Sequence, residues 1–207
     1  VVTLVLVHGG LWDDDMDAER FWLRPGVVDG LRAAGFAVAM PDRLRQAPSW
    51  EAEAEHLAGL MPAGPVTLVA GSNGCSAAVA LALSRPVLVE KLVLAWPATA
   101  GASDVDSAAA QRLAERGADQ ATIDNLLAGE TLRGFSDDQL SALPLPVGVL
   151  PSVPENPSHR RSTVDRLLKV VPGPVELAPG TPEPSRAEFP PHLGGFVEAV
   201  RAFTVGP

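Results

Sequence analysis

Pro65-Val-Thr-Leu-Val-Ala-Gly-Ser72-Asn-Gly-Cys-Ser-Ala-Ala-Val-Ala-Leu-Ala-Leu83 is the stretch on which the reading of this chain turns. The apolar run Val66 to Val69, preceded by Gly64-Pro65, reads as a short buried strand. Small residues of high helix propensity, Ser76 to Leu83, read as the helix that follows. Between them Gly71-Ser72-Asn73-Gly74 allows only a tight turn. A serine on such a turn presents its hydroxyl outward, beside the free backbone N–H groups that begin the helix. The pentapeptide Ala70-Gly71-Ser72-Asn73-Gly74 has the form small-x-Ser-x-Gly, which places an exposed nucleophile next to donors for an anionic oxygen. The same five residues also serve as a plain turn in any parallel-sheet protein.

Working outward from the turn, apolar runs and helical patterns alternate. Thr3 to Val7 is a continuous β-rich run, and the turn His8-Gly9-Gly10-Leu11-Trp12 follows it. A helix carries Val27, Val28 and Leu31, with Pro25-Gly26 at its start and Gly35 at its end. Phe36 to Met40 is a second strand. Ser49 caps a helix that turns Trp50, Leu57, Leu60 and Met61 to one side and Glu51, Glu53 and Glu55 elsewhere. After the central strand and helix, Lys91 to Ala95 is a fourth strand, closed by Trp96-Pro97. Such alternation predicts a mostly parallel, doubly wound α/β sheet with right-handed crossovers.

The rhythm breaks at Ala98. From 98 to 143 there are no strand-like runs, Ile123, Leu126 and Leu127 have helical spacing, and Ser136-Asp-Asp-Gln139 has the form of a capping box. The sequence therefore predicts a helical cap insertion over residues 98–143, dividing a core of residues 1–97 and 144–207 into about six strands in all. Strands at Val147 to Leu150 and Val175 to Leu177 complete the sheet, and a helix with Leu193, Phe196, Val197, Val200 and Phe203 closes the chain.

Composition narrows the class of function. A hydrophobic content of 46% is ample for a packed core. A net charge of −9 argues against nucleic acid and anionic membranes as partners. No apolar run approaches the roughly 20 residues that span a bilayer. The single cysteine, Cys75, fits a reducing compartment. With no basic segment before Val1 to Val7, the expectation is a cytoplasmic protein without a signal peptide, acting on a small molecule. Four histidines without ligand spacing point to no metal site, and nothing calls for a cofactor.

Three features fall at the carboxyl ends of strands, where open parallel sheets build their sites: His8-Gly9-Gly10, Ser72 and Glu155. His192 follows the last strand. Leu6-Val-His-Gly-Gly10, the turn followed by Val79-Ala-Leu-Ala-Leu83, and Val89-Glu-Lys-Leu-Val-Leu94 together resemble the α/β-hydrolase superfamily over nearly the whole chain, in particular its small bacterial members with a short cap. The resemblance implies Ser72 as nucleophile, with N–H groups of Asn73 and of Gly10 or Leu11 as an oxyanion hole. It implies Glu155 as the acid, since Ser152-Val-Pro-Glu155 occupies the place of the family's Gly-x-x-Asp. The family's Gly-x-x-His falls near Gly180-Thr-Pro-Glu183, which has no histidine. That leaves His192 as base, His159 as its alternative, or neither.

Trp12, Trp22 and Trp96, on loops at strand ends, are candidates for an acyl pocket or for the core. His8 reads as a scaffold for the first turn, and Cys75 as a small apolar residue. The implied reaction is hydrolysis of a small, largely apolar ester, thioester or lactone through an acyl-serine. The alternatives are a non-hydrolytic enzyme of that fold (lyase, cofactor-free haloperoxidase or cyclase) and an inactive binding protein.

Overall fold

The computed structural model describes residues 1–206. In chain order the elements are β1 (Thr3–Val7), α1 (Val27–Ala33), β2 (Ala37–Ala39), α2 (Trp50–Ala58), β3 (Val66–Gly71), α3 (Gly74–Ser84), β4 (Val89–Ala95), α4 (Ser103–Glu115), α5 (Gln120–Leu127), α6 (Asp137–Ser141), β5 (Val147–Leu150), α7 (Arg161–Val170), β6 (Val175–Glu176) and α8 (Leu193–Val205). A π-helical turn, Glu19–Leu23, precedes α1, and a 3-10 turn, Pro190–His192, precedes α8.

The six strands form one open sheet in the order β2-β1-β3-β4-β5-β6, and every neighbouring pair is parallel. Successive strand residues point to opposite faces, and the core divides accordingly. Val5, Val7, Leu68 and Ala70 pack with Trp50 and Leu57 of α2, the small residues of α3, and Val164 and Leu167 of α7. Leu4, Leu6, Val69 and Val93 pack with Val27, Val28 and Leu31 of α1 and with Phe196 and Val200 of α8. The sheet is thus covered on both faces at its centre, which is why β1, β3, β5 and the second half of β4 are buried, largely apolar runs instead of alternating ones. The winding reverses between β1 and β3, so the loops after these two strands diverge and leave a crevice at their carboxyl ends.

Local signals fix several boundaries. The Ser49 side chain accepts a hydrogen bond from Ala52 N at 3.2 Å, and Ser136 with Gln139 forms the reciprocal capping box. Glu53 departs from its expected solvent-facing position. It is 2% exposed and pairs with Arg43, as described below. Residues 98–143 supply α4, α5 and α6 between β4 and β5. Leu113, Ile123, Leu126, Leu132, Phe135 and Leu140 tie these helices to the core on the α2–α3 face.

Candidate active site

The turn between β3 and α3 is as tight as its glycines require. Ser72 has φ 53°, in the left-handed region that a serine rarely adopts, so the side chain leaves the chain at a sharp angle. A Cβ on Gly74 would strike the carbonyl oxygens of His8 and Val7, and one on Gly71 would come within 2.7 Å of Phe21. The glycines therefore let the start of α3 cross directly over the end of β1. Ser72 N donates to Ala95 O at 3.0 Å, which anchors the turn to β4. The Cys75 thiol is fully buried beneath it, and burial pushes its pKa up, so it stays a neutral packing group.

The loop after β1 lies against this turn. A Cβ on Gly9 would approach Ser72 Cβ to 3.0 Å. His8 donates from Nδ1 to Gly9 O at 2.8 Å, and its Nε2 accepts from Arg43 N at 3.1 Å. Both bonds require a neutral ring with the proton on Nδ1. Burial, assisted by the Arg43 charge, accordingly lowers the His8 pKa to about 4. Arg43 Nη1 donates to the carbonyls of His8, Gly9 and Gly10 at 3.1, 3.2 and 2.7 Å, while Nε and Nη2 hold the two oxygens of Glu53 at 2.7 and 2.5 Å. A trans peptide sets each N–H opposite the preceding C=O. Drawing the Gly9 and Gly10 carbonyls toward Arg43 therefore directs the N–H groups of Gly10 and Leu11 away from it.

His159 brings an imidazole to the serine: its Nε2 is 2.9 Å from Ser72 Oγ. The loop after β5 that carries it is stitched to the end of β4. Thr99 N donates to Ser158 O at 2.8 Å, and Arg160 N to Thr99 Oγ1 at 3.0 Å. Glu183 approaches the same imidazole, with Oε2 3.3 Å from Nε2. The carboxylate is carried there by the segment after β6, where Thr181 bridges Ser152 and its carbonyl accepts from Trp96 Nε1 at 2.7 Å. His159 is 4% exposed, and burial holds its pKa below the ordinary histidine value, with the Glu183 charge opposing. His159 Nδ1 is buried with no hydrogen-bond partner.

Two expected members are elsewhere. Glu155 is exposed, and its Oε2 accepts from Arg161 N at 2.7 Å, capping the first turn of α7. His192 is exposed on the Pro190–His192 turn, because the buried Phe189 before it anchors that turn to the aromatic core and leaves His192 on the outer side. Imidazole and carboxylate have thus exchanged loops relative to the expected order. The paired signal was present in the sequence: an acid in Gly180-Thr-Pro-Glu183, where the resemblance places histidine, and a histidine in the loop assigned to the acid.

Ser72, Asn73, Gly10, Leu11, His159 and Glu183 line one cavity of about 240 Å³. From residues 98–143 come Ala98, Val105, Ala109, Arg112, Arg116 and Arg133. The tryptophans are not in its wall. Trp22 and Trp96 are fully buried in an aromatic cluster with Phe21, Phe189 and Phe196, the Trp96 ring stacking on Phe196 at 5.2 Å. Trp12 is half-buried and donates from Nε1 to Ala47 O at 2.8 Å. Among the described residues no group of three or more His, Cys, Asp or Glu could hold a metal ion, and no helix is long and apolar enough to cross a membrane.

No family model matches the chain, and no curated protein matches it. Solved structures match it closely in fold. An extracellular α/β-hydrolase from a Paenibacillus species superposes with a TM-score of 0.70 at 13% identity, over 99% of this chain and 100% of that one. A meta-cleavage product hydrolase from Pseudomonas fluorescens IP01 gives 0.67 at 16%, over 97% and 91%. A carboxylesterase from Bacillus subtilis gives 0.63 at 19%, over 100% and 84%. The chain has the α/β-hydrolase fold.

Proposed function

We propose that the protein is a serine hydrolase that cleaves a small ester, thioester or lactone through an acyl-Ser72 intermediate. The observation that carries this reading is the 2.9 Å approach of His159 Nε2 to the hydroxyl of a strained, outward-facing Ser72. A serine hydroxyl is inert at neutral pH until a base takes its proton. In the proposed sequence His159 accepts that proton as Oγ attacks the carbonyl carbon, and the tetrahedral oxyanion is held by the N–H of Asn73 with those of Gly10 and Leu11. His159 then returns the proton to the leaving oxygen or sulfur. Water, deprotonated by the same imidazole, releases the acid and restores Ser72. Glu183 stabilises the imidazolium present between these steps.

Several of the solved neighbours are described as esterases, a lactone-degrading enzyme and a thioesterase domain, which is in keeping with acyl transfer as the chemistry. The cavity volume favours a short substrate. Residues 98–143 would act as the cap that sets its length, since six of them line the wall. The alternative of an inactive binding protein loses its motive once an imidazole stands beside Ser72.

The test is labelling with a fluorophosphonate probe, which reacts only with an activated serine. Wild-type protein should be labelled at Ser72 and should hydrolyse short p-nitrophenyl esters. Ser72→Ala and His159→Ala should each abolish both while unfolding at nearly the wild-type denaturant midpoint. Wild-type turnover by Ser72→Ala would end the covalent mechanism.

A further inference from the structure

Beside the serine and the imidazole, the chemistry of the cavity is cationic. Four arginines, Arg112, Arg116, Arg133 and Arg186, line it against the carboxylates of Asp13 and Glu183, in a chain whose net charge is −9. Arg133 is the buried member, with a side chain 5% exposed. Its Nη1 donates to Asn73 Oδ1 at 2.9 Å and its Nη2 to Asp106 Oδ1 at 3.3 Å, while its Nε is buried without a partner. Buried guanidinium donors are ordinarily satisfied, because leaving one unpaired costs its full desolvation.

The neighbouring cations are also short of partners. Arg112, exposed on α4, makes no ion pair among the described residues, and its charge adds to burial in lowering the Arg133 pKa. Arg116 reaches Asp13 only at 3.9 Å and Arg186 reaches Glu183 only at 3.8 Å, both too long for hydrogen bonds, and Arg116 Nη1 makes one long bond to Leu11 O at 3.5 Å. Like charges gathered around one cavity repel, and an anion placed among them relieves that repulsion. Guanidinium forks match the paired oxygens of a carboxylate or phosphate. The tryptophans that were candidates for an acyl pocket lie in the core or on its margin, and the wall sets four guanidinium groups against the two carboxylates of Asp13 and Glu183, a balance that favours an anion.

We infer that the substrate carries an anionic group, a carboxylate or a phosphate, a few atoms from the scissile carbonyl, and that Arg112, Arg116 and Arg133 hold it. The reaction assigned to that substrate rests on the serine-hydrolase reading, whereas the anion site itself does not.

Two esters matched in shape separate the two ideas. Monomethyl succinate carries a carboxylate where methyl levulinate carries a methyl ketone, and methyl 3-phosphonopropanoate supplies the phosphoryl counterpart. We expect kcat/KM for one of the anionic esters to exceed that for methyl levulinate by at least about tenfold, the size of effect a charge-assisted hydrogen bond supplies. Which anion leads identifies the natural group. In Arg112→Gln the preference should fall to about twofold or less, and in the wild type it should weaken with added salt. Equal values for charged and neutral esters, or a preference unchanged in Arg112→Gln, would overturn the assignment. Should no ester be cleaved and no fluorophosphonate label appear, the hydrolase reading fails alone. Calorimetry with succinate, phosphate and succinamide then decides the site. Binding of either anion that is absent for succinamide and weakened in Arg112→Gln supports it, and binding of neither anion overturns it.

Discussion

Glu183 meets His159 at Nε2, the nitrogen that also faces Ser72 Oγ, and leaves Nδ1 buried and unpaired. In the usual Ser-His-acid arrangement the carboxylate holds Nδ1–H and so fixes the tautomer, and converting the acid to its amide costs about 10⁴ in kcat. Here the carboxylate stands at Nε2, so in the proposed mechanism it can stabilise the imidazolium but holds no Nδ1–H. Glu183→Gln should therefore lower kcat by only about tenfold, while His159→Ala should cost about a hundredfold more than that. Steady-state kinetics of the two variants make the comparison. A loss in Glu183→Gln equal to that in His159→Ala would show that the two act as one unit and would contradict this lesser role for Glu183. His192→Ala should match the wild type, since His192 lies outside the cavity.

The pH profile follows from the burial of His159. The base must be neutral to accept the serine proton, and burial disfavours its charged form, so its pKa lies below the ordinary histidine value of 6.5. Activity should already exceed half its plateau value at pH 6.5 and fall on further acidification, as the imidazole takes up a proton. The Glu183 charge opposes the effect of burial, so Glu183→Gln should move the acid limb to still lower pH. Plots of kcat/KM against pH for wild type and variant read both shifts. An acid limb centred above pH 6.5, or one that rises in Glu183→Gln, would contradict the assigned base.

The Arg43–Glu53 pair should position the loop after β1, to which the proposed function assigns the oxyanion donors. Both side chains are at least 95% buried, and Arg43 alone spans three consecutive carbonyls of the loop after β1. Removing one partner leaves an uncompensated buried charge, so Glu53→Gln should destabilise by about 3–5 kcal/mol in urea unfolding. The double variant Arg43→Met/Glu53→Met removes both charges and should regain much of that stability. It should not regain activity, because the Gly10 carbonyl then loses the Arg43 donor that holds it away from the cavity and Gly9 O keeps only His8 Nδ1. The expected deficit is about a hundredfold in kcat with KM nearly unchanged, the scale of losing an oxyanion donor. Full activity in the double variant would reduce the pair to a packing element.

The elements that form from neighbours in the chain are those that the sequence by itself determined. The strand, turn and helix around Ser72, the Ser49 cap, the Ser136–Gln139 capping box and the parallel alternation all depend on residues a few positions apart. Their propensities and hydrogen bonds act whatever the rest of the chain does. The glycine pattern of the Ser72 turn is legible as a motif, although what excludes a Cβ there is tertiary: the carbonyls of Val7 and His8 against Gly74 and the Phe21 ring against Gly71.

The partners of Ser72 were decided only by tertiary structure. His159 is 87 residues from Ser72 and reaches it because its loop is pinned to Thr99 beyond the neighbouring strand. Glu183 is brought there by a segment bridged to Ser152 and tied to Trp96. Chain order proposed Glu155 and His192 instead, yet one is taken up by the start of α7 and the other is turned outward by buried Phe189. Glu53 shows the same limit. Helical periodicity counts a glutamate as solvent-facing, and only the arrival of Arg43 from outside the helix makes its burial tolerable. A side chain at a strand end has several staggered directions available, and which one it takes is set by the packing of distant segments around it.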